Sequence, residues 1–545
     1  MAQIFVIGIG GTGMRCIEAF THLCAIGMFD KTDVHLLALD TDKDNGNFTR
    51  LKNLKEAYIK TKGVNKKQFA LEDTFFSANL HYYQFSPDYS RQSTFDVLYD
   101  YSQTKRNDPN KSSIADLLFT ADAKEFDLKH GYRAQTHLGS MLMYHSIIAE
   151  TEDTNVTNLK GEGGKTGNIK GFIDELANAC QSGSPRVFIL GSIFGGTGAS
   201  SIPVIPKALI EGAKKMGVAI DLSTAYFAAT LLTSYFSFPS PNAADLKNQK
   251  VIATSDKFAL NSQAAMMFYE VDETVKKTYQ RFYMMGTEGL DKVRSDGAVV
   301  EGKTITGGKD QVNDSHYIEL LSAFAAWDFF NSTENDLSDL KDKKKLEYLY
   351  RTFDDSGKIN FEDFVGSEQK LELAKKLGLF TVLGSIATLG KYDFFGQAQR
   401  GELNRVNIEG YNDIDADEIK NLKNYMSLFH FAIKGEKITD GWLRQLWRSA
   451  NGGDNFLLNS GLFGNETVRE MQEYKLHSKL FRENDGLDDN KFKAGKLFEG
   501  DYKDMYNKFL TNFIATKDPD NITNKCEKLI KRTYDTLCHL YNFKN

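Results

Sequence analysis

Val187-Phe188-Ile189-Leu190-Gly191-Ser192-Ile193-Phe194-Gly195-Gly196-Thr197-Gly198-Ala199-Ser200 decides the fold class. A short continuous apolar run reads as a parallel strand buried on both faces. The glycines after it let the backbone turn tightly and bring its N–H groups against a phosphate, with a helix N-terminus behind them. The chain opens in the same way, with Ile4-Phe5-Val6-Ile7, then Gly8-Ile9-Gly10-Gly11-Thr12-Gly13, then Cys16, Phe20, Leu23 and Cys24 at helical spacing. Alone, the first loop satisfies the GxGxxG dinucleotide fingerprint, with Asp40 after the second strand as the ribose acid. An NAD(P)- or FAD-dependent oxidoreductase and a bare strand-to-helix turn are therefore both readings of it. The second tetrad changes the balance. Two GGTG turns at the C-terminal ends of parallel strands share one edge of the sheet, so they predict a nucleoside triphosphate held from two sides.

Working outward, Val34 to Leu39 reads as a second buried strand, and residues 45–130 as a partly helical insertion. Thr151 to Lys170 is a polar loop, a helix begins near Ser200, Leu222 to Leu232 is a strand, and Ala243 to Val271 is helical. Arg281 to Met285 gives another strand, before the glycine-rich Thr287 to Gly308. Tyr317 to Phe330 is apolar nearly all round, which places that helix in the middle of the protein. The charged stretch Asp336 to Lys345 marks a boundary, and the rest is mainly helical, including Leu371 to Leu389 and Lys525 to Tyr541. Strands alternating with helices predict an α/β fold: a mostly parallel sheet with helices on both faces. The expected domains are 1–335, nucleotide-binding, and 336–545, mainly helical.

Composition narrows the functions. The 545 residues carry 67 Lys+Arg against 73 Asp+Glu, a net charge of −6, with no sustained basic stretch. Nucleic acid is therefore not the expected main partner. The five cysteines Cys16, Cys24, Cys180, Cys526 and Cys538 form no CxxC pair, so neither a zinc site nor a disulfide framework is indicated. No apolar run reaches the roughly 18 residues of a transmembrane span, and the expected location is the cytoplasm.

These features resemble the tubulin/FtsZ superfamily, in particular its diverged bacterial tubulin-like members. Gly195, Gly196, Thr197, Gly198 and Ala199 match the family tetrad and the small residue after it, whereas Phe194 and Ser200 depart from it. Gly10-Gly11-Thr12-Gly13 looks like the first phosphate loop, Leu39-Asp40-Thr41-Asp42 is similar to the end of the second strand, and Arg133 to Ser140 stands at the gamma-phosphate loop. The resemblance implies GTP as ligand with Mg2+ accompanying it, self-association into head-to-tail filaments, and GTP hydrolysis at the subunit contact. It implies a base-contacting Asn at Asn313, with Asn261 as runner-up; helix capping by Asn313 or Asp314 is the plainer explanation. The catalytic GxxNxD is replaced by Asn331-Ser332-Thr333-Glu334-Asn335-Asp336, which leaves Glu334 or Asp336 to orient water. A side chain introduced at Gly196 is expected to enter the phosphate space. A non-polymerising GTP-dependent switch on the same fold is the first alternative, and an unidentified protein or membrane surface is a further possible partner.

Three decoys carry less. Gly164-Lys165-Thr166 lacks the earlier Walker glycine and a preceding strand; Asp354 to Asn360 is a degenerate calcium-type loop; His130, His137 and His145 do not fall at HExxH spacing. Lys341 to Lys345 reads as a solvated helix face.

Overall fold

The structure is a computed structural model that describes residues 3–62, 73–89, 93–221, 224–237, 254–286, 291–292, 308–309, 311, 313–351, 367–388, 394–406, 408–412, 414–434, 437–443, 445–446 and 501–540. Expectations for 243–253, for most of the glycine-rich stretch 287–308 and for the calcium-type loop 354–360 fall outside these residues.

Seven strands form one sheet: β1 Ile4–Ile9, β2 Asp33–Leu39, β3 Asn79–Phe85, β4 Arg186–Leu190, β5 Tyr226–Leu232, β6 Tyr279–Met285 and β7 Glu347–Arg351. Their order is β3-β2-β1-β4-β5-β6-β7, and every pairing is parallel. The chain leaves β1 towards one edge and returns at β4 on its other side, so the order reverses between β1 and β4. In open α/β sheets that crevice is where ligands bind, beyond the carboxyl ends of the strands.

The apolar runs divide by parity. Ile4, Val6, Phe188 and Leu190 enter one core, whereas Phe5, Ile7, Val187 and Ile189 enter the core on the opposite face. The first core is covered by helix α1 (Gly10–Ala25), α2 (Gly46–Lys62) and the long α6 (Tyr317–Asn331); the second includes α3 (Thr136–Glu152) and part of α5 (Phe258–Val271). As its sequence requires, α6 is buried along most of its circumference. Between α3 and α5 lies the short α4 (Gly196–Ser201), and beyond α6 comes α7 (Glu334–Asp342). The C-terminal region is helical, with α8 (Ala416–Phe429) among its elements, and its Phe380, Tyr425, Trp442 and Leu529 enter the same core as α1 and α6. His22 of α1 lies over Trp442 at 4.5 Å and shares a 2.9 Å hydrogen bond with the Tyr425 hydroxyl.

The expectations need three corrections. Residues 45–130 are no mere insertion, because they supply α2 and the strand β3. Its edge is covered by the polar loop, where Gly167 N donates to Tyr82 O and Gln84 N to Gly167 O. The sheet also extends past the charged stretch: β7 follows it and pairs with β6. Finally, within the stretch Lys341 to Lys345 residues 342–345 are exposed as expected, but Lys341 is half-buried. Its Nζ donates to Ala225 O at 2.6 Å over the Tyr226 ring, and burial pulls its pKa down to about 8. The five cysteines are unpaired. Among the described residues no helix is long and apolar enough to cross a membrane, and no His/Cys/Asp/Glu group suits a metal ion by itself.

Candidate functional site

Three loops converge at the switch point around an open cleft. The first is the β1–α1 turn, where Gly10, Gly11 and Thr12 line the cleft. Gly10 has φ +68°, a conformation glycine adopts without penalty. No side chain caps α1, so its first N–H groups are left to water or a ligand. The second is the β4–α4 turn, Ser192 to Gly198, again without a side-chain cap. The third, Gly131 to Ala134, leads towards α3. Gly131, Arg133 and Ala134 all have left-handed backbones, at +87°, +44° and +64°. Two non-glycine residues in that region mark stored strain of the kind found at ligand sites.

The glycines of the tetrads are not equivalent. A Cβ on Gly13 would lie 2.6 Å from Gly8 C and 2.7 Å from Leu190 O, so this residue serves close packing of α1 on the sheet and does not line the cleft. A Cβ on Gly198 would meet Ser192 O at 2.2 Å. Gly196 presses on the third loop, its Cβ position 2.5 Å from Ala134 N and 2.9 Å from Arg133 N. The expected projection of a Gly196 side chain into phosphate space is therefore corrected: it would strike backbone first. Gly195 is the open one. Its nearest neighbour would be Ser192 Oγ at 3.7 Å, and its backbone is ordinary, φ −95° and ψ 174°.

On the β2 side, Asp40, Asp42 and Asn45 line the cleft, and Gln311 joins them from the segment before α6. Asn45 Nδ2 donates to Gln311 Oε1 at 2.9 Å, and Gly308 N donates to Asp42 Oδ2 at 2.5 Å. Burial, then the neighbouring Asp42 charge, pushes the Asp40 carboxyl up to about 7. Opposite this acidic corner, burial lowers the pKa of the Arg133 guanidinium. The remaining wall is aromatic: Phe194, Phe236 and Phe258, with ring centroids 5.3 Å apart for Phe194–Phe236 and 4.8 Å for Phe194–Phe258. The departure at Phe194 is thus a packing choice, because a ring there builds the aromatic wall.

Of the residues singled out from sequence, Gly10, Gly11, Thr12, Asp40, Gly195, Gly196, Thr197 and Gly198 come together at the cleft. Gly13 and Ala199 do not; Ala199 lies in the core, its carbonyl accepting from Tyr269 Oη. Asn261 is half-buried at the rim, donating to Phe194 O at 3.2 Å. Asn313 is buried two residues beyond Gln311. Its carbonyl accepts from Arg50 Nη1 at 2.9 Å, while its side-chain Oδ1 has no donor. Neither Asn313 nor Asp314 caps α6; His316 does, in a capping box with Glu319.

Glu334 and Asp336 stand at the opposite end of the sheet. Helix α6 separates them from the cleft, and its 15 residues span about 22 Å. Both lie in the first turn of α7, capped by Thr333 Oγ1, which accepts from Asp336 N at 3.1 Å. Glu334 is held within its own chain, accepting from Tyr226 Oη at 2.8 Å with Arg186 Nη2 3.7 Å away. Sequence reasoning missed Asp42, Asn45, Gly131, Gln311, Phe236 and Phe258 as lining residues. Asp42 and Asn45 follow Asp40 closely in the β2–α2 turn, which is a signal; the two aromatics lie far along the chain and carried none.

No family model matches the chain, and no curated protein does. Among solved structures it is similar to CetZ2 from Haloferax volcanii, a GTPγS-bound protofilament, at 13% identity and a TM-score of 0.25. The match covers 59% of this chain and 59% of that one.

Proposed function

We propose that the cleft binds a guanine nucleoside triphosphate, and that the protein is a tubulin/FtsZ-like nucleotide-binding protein that assembles head to tail. One observation carries the nucleotide: two uncapped helix N-termini and a third, left-handed loop converge at the switch point of a parallel sheet. Backbone N–H groups concentrated in this way suit a polyphosphate better than the single loop a dinucleotide requires. The guanine preference rests on the tubulin/FtsZ resemblance of the two tetrads, with Asn313 and Asn261 as base-contact candidates.

Magnesium fits the donor set. Asp40 and Asp42 offer hard oxygen ligands beside the phosphate loops. When bound, the ion would neutralise phosphate charge. Arg133 and the loop N–H groups would hold the phosphates, while the aromatic wall would shield the base and sugar from water.

Hydrolysis is assigned to the contact between subunits. Glu334 and Asp336 cannot reach their own cleft, so they would orient water only against a neighbour's nucleotide, in a heterologous contact that repeats into filaments. A second reading has its own support. Glu334 is already engaged by Tyr226 and Arg186, which favours a structural role and a nucleotide-dependent switch without assembly.

Calorimetric titration with GTP and ATP, with magnesium present, tests the first step. GTP should bind at least tenfold tighter than ATP, and Asn313→Ala should erase most of that preference. No affinity for either nucleotide would overturn the reading. Electron microscopy with GTP separates filament from switch. Filaments whose turnover per molecule rises with concentration support the first, and a GTP-bound monomer at every concentration supports the second.

A further inference from the structure

Helix α5 is apolar on two faces. Its inner face, Phe258, Ala265 and Tyr269, is buried against the sheet. Its outer face carries Leu260, Met267 and Val271 at 65%, 61% and 70% exposure, with Ala264 exposed between them and Phe268 alongside at 48%. The spacing Leu260, Ala264, Met267, Val271 is four, three, four. That is the seam of a helix pair, in which such residues seat in holes of a facing helix. Large side chains at this exposure in one stripe are uncommon on a surface that meets only water.

The charges at the ends identify the facing helix. Lys257 stands at the N-cap of α5, while Glu270 lies in its last turn and Glu273 just beyond it; all three are exposed. Lys257 and Glu270 are the reverse of what the helix's own dipole favours, while Glu273 opens the next short helix, Glu273–Thr278. An antiparallel copy of the same helix resolves both conflicts, placing each Lys257 beside the other copy's acidic end. Glu273 adds to that acidic end, its ion pair with Lys276 being long, 3.7 Å, and exposed. About a two-fold axis midway between residues 265 and 266, Leu260 faces the partner's Val271 and Ala264 faces the partner's Met267. Small opposite large is how two such seams interlock.

We propose that α5 is a homotypic interface, pairing antiparallel with the α5 of a second copy of this chain. The proposal does not rest on the nucleotide reading. A stripe of three helical turns is short against the roughly 800 Å² per partner of a standard interface, so a single contact should be weak. In a filament it would repeat and join two filaments side by side.

Sedimentation velocity of the full chain without nucleotide, over a range of concentrations, tests it. The wild type should show a reversible monomer–dimer equilibrium. Met267→Glu should weaken it at least tenfold, with circular dichroism and the thermal midpoint unchanged. Lys257→Glu and Glu273→Lys should each weaken it several-fold, and the double exchange should recover most of the loss. A variant carrying Leu260→Cys and Val271→Cys should form a disulfide-linked dimer on mild oxidation. A wild type monomeric at every concentration overturns the proposal, as does a dimer indifferent to Met267→Glu. Weakening by Met267→Glu without rescue by the charge exchange overturns the antiparallel register.

Discussion

The two GGTG turns share four letters and differ in what each letter does. In the first, Gly10 supplies the left-handed turn, Gly11 faces the cleft and Gly13 lets α1 settle on β1 and β4. In the second, Gly195 faces the cleft, Gly196 seats the third loop, and Gly198 passes over Ser192. The glycine with an ordinary backbone and only side-chain ends near its Cβ position thus comes second in one tetrad and first in the other. Their surroundings also differ in charge. The first turn has Asp40 and Asp42 beside it, and the second has the Arg133 loop pressed on its helix. A repeated motif therefore marks where a ligand goes without telling which of its glycines the ligand needs.

The largest effect is expected where a glycine is held by backbone. Gly198→Val brings a branched side chain to within 2.2 Å of Ser192 O, and neither chain segment can retreat without breaking the β4–α4 turn. The loss should exceed about 4 kcal/mol, the range that single substitutions reach only through such conflicts. It should be read as failure to accumulate folded protein, or as a collapsed thermal midpoint. A variant that folds and binds nucleotide normally would refute the division between packing and ligand glycines.

Next comes the acidic corner. Asp40 titrates near 7 in the fold against about 3.9 in the unfolded chain, so its pKa is raised. Below about pH 4 both states hold the proton and nothing is lost. Between about 4 and 7 only the folded state keeps it, and stability falls as pH rises, by up to about 4 kcal/mol in total. Asp40→Asn should melt with the wild type near pH 4 and above it at pH 8. Magnesium with GTP should narrow the gap at pH 8, because the wild type alone has both carboxylates to offer. Parallel melting curves across the whole range would show that Asp40 carries no buried charge.

The third contrast sets neighbouring glycines against each other. Gly195→Val should fold normally and lose about 2 kcal/mol of GTP binding, roughly thirtyfold, as charge-assisted contacts to phosphate are displaced. Gly196→Val should lose stability and binding together, because it moves the backbone of Arg133 and Ala134. Calorimetry beside thermal denaturation distinguishes the pair. Equal stability of the two variants would contradict the packing assigned to Gly196.

Much of this was legible in the sequence, for a physical reason. Strands buried on both faces must be continuous apolar runs, and tight turns at their ends must be glycine, so β1, β2, β4 and the two tetrads announce themselves. The edge strands β3 and β7 do not. Each needs only one well-covered neighbour, and Asn79–Phe85 and Glu347–Arg351 mix charged, amide and aromatic residues accordingly. The site divides in the same way. Backbone-driven parts are local and readable, while Gln311, Phe236 and Phe258 reach the cleft only through tertiary packing. The capping of α6 by His316 was hidden for another reason: an imidazole nitrogen accepting from Ile318 N is an uncommon cap, and the neighbouring Asn313 and Asp314 are the common ones.

The smallest effect belongs to Gly11, and it measures how far this glycine and Gly195 are alike. A Cβ there would approach Asn47 Nδ2 at 3.1 Å and Asn45 Nδ2 at 3.3 Å. Both are ends of side chains, able to give by a few tenths of an ångström, and Gly11 has no left-handed backbone to strain. Gly11→Ala should therefore fold with a loss below about 1 kcal/mol, within the range of tolerated surface and near-surface changes. Its effect on GTP should be a few-fold at most, against the thirtyfold expected at Gly195, since the methyl group displaces amides and leaves the phosphate space open. The Asn45–Gln311 hydrogen bond joins the β2–α2 turn, on which Gly11 packs, to the segment before α6, so Gln311→Ala should add nothing further to Gly11→Ala if the methyl has already broken that link. A double-mutant cycle on GTP affinity reads this directly. Full additivity would mean that Gly11 and Gln311 touch the ligand separately, and that the first turn, like the second, meets the phosphates without an intermediary.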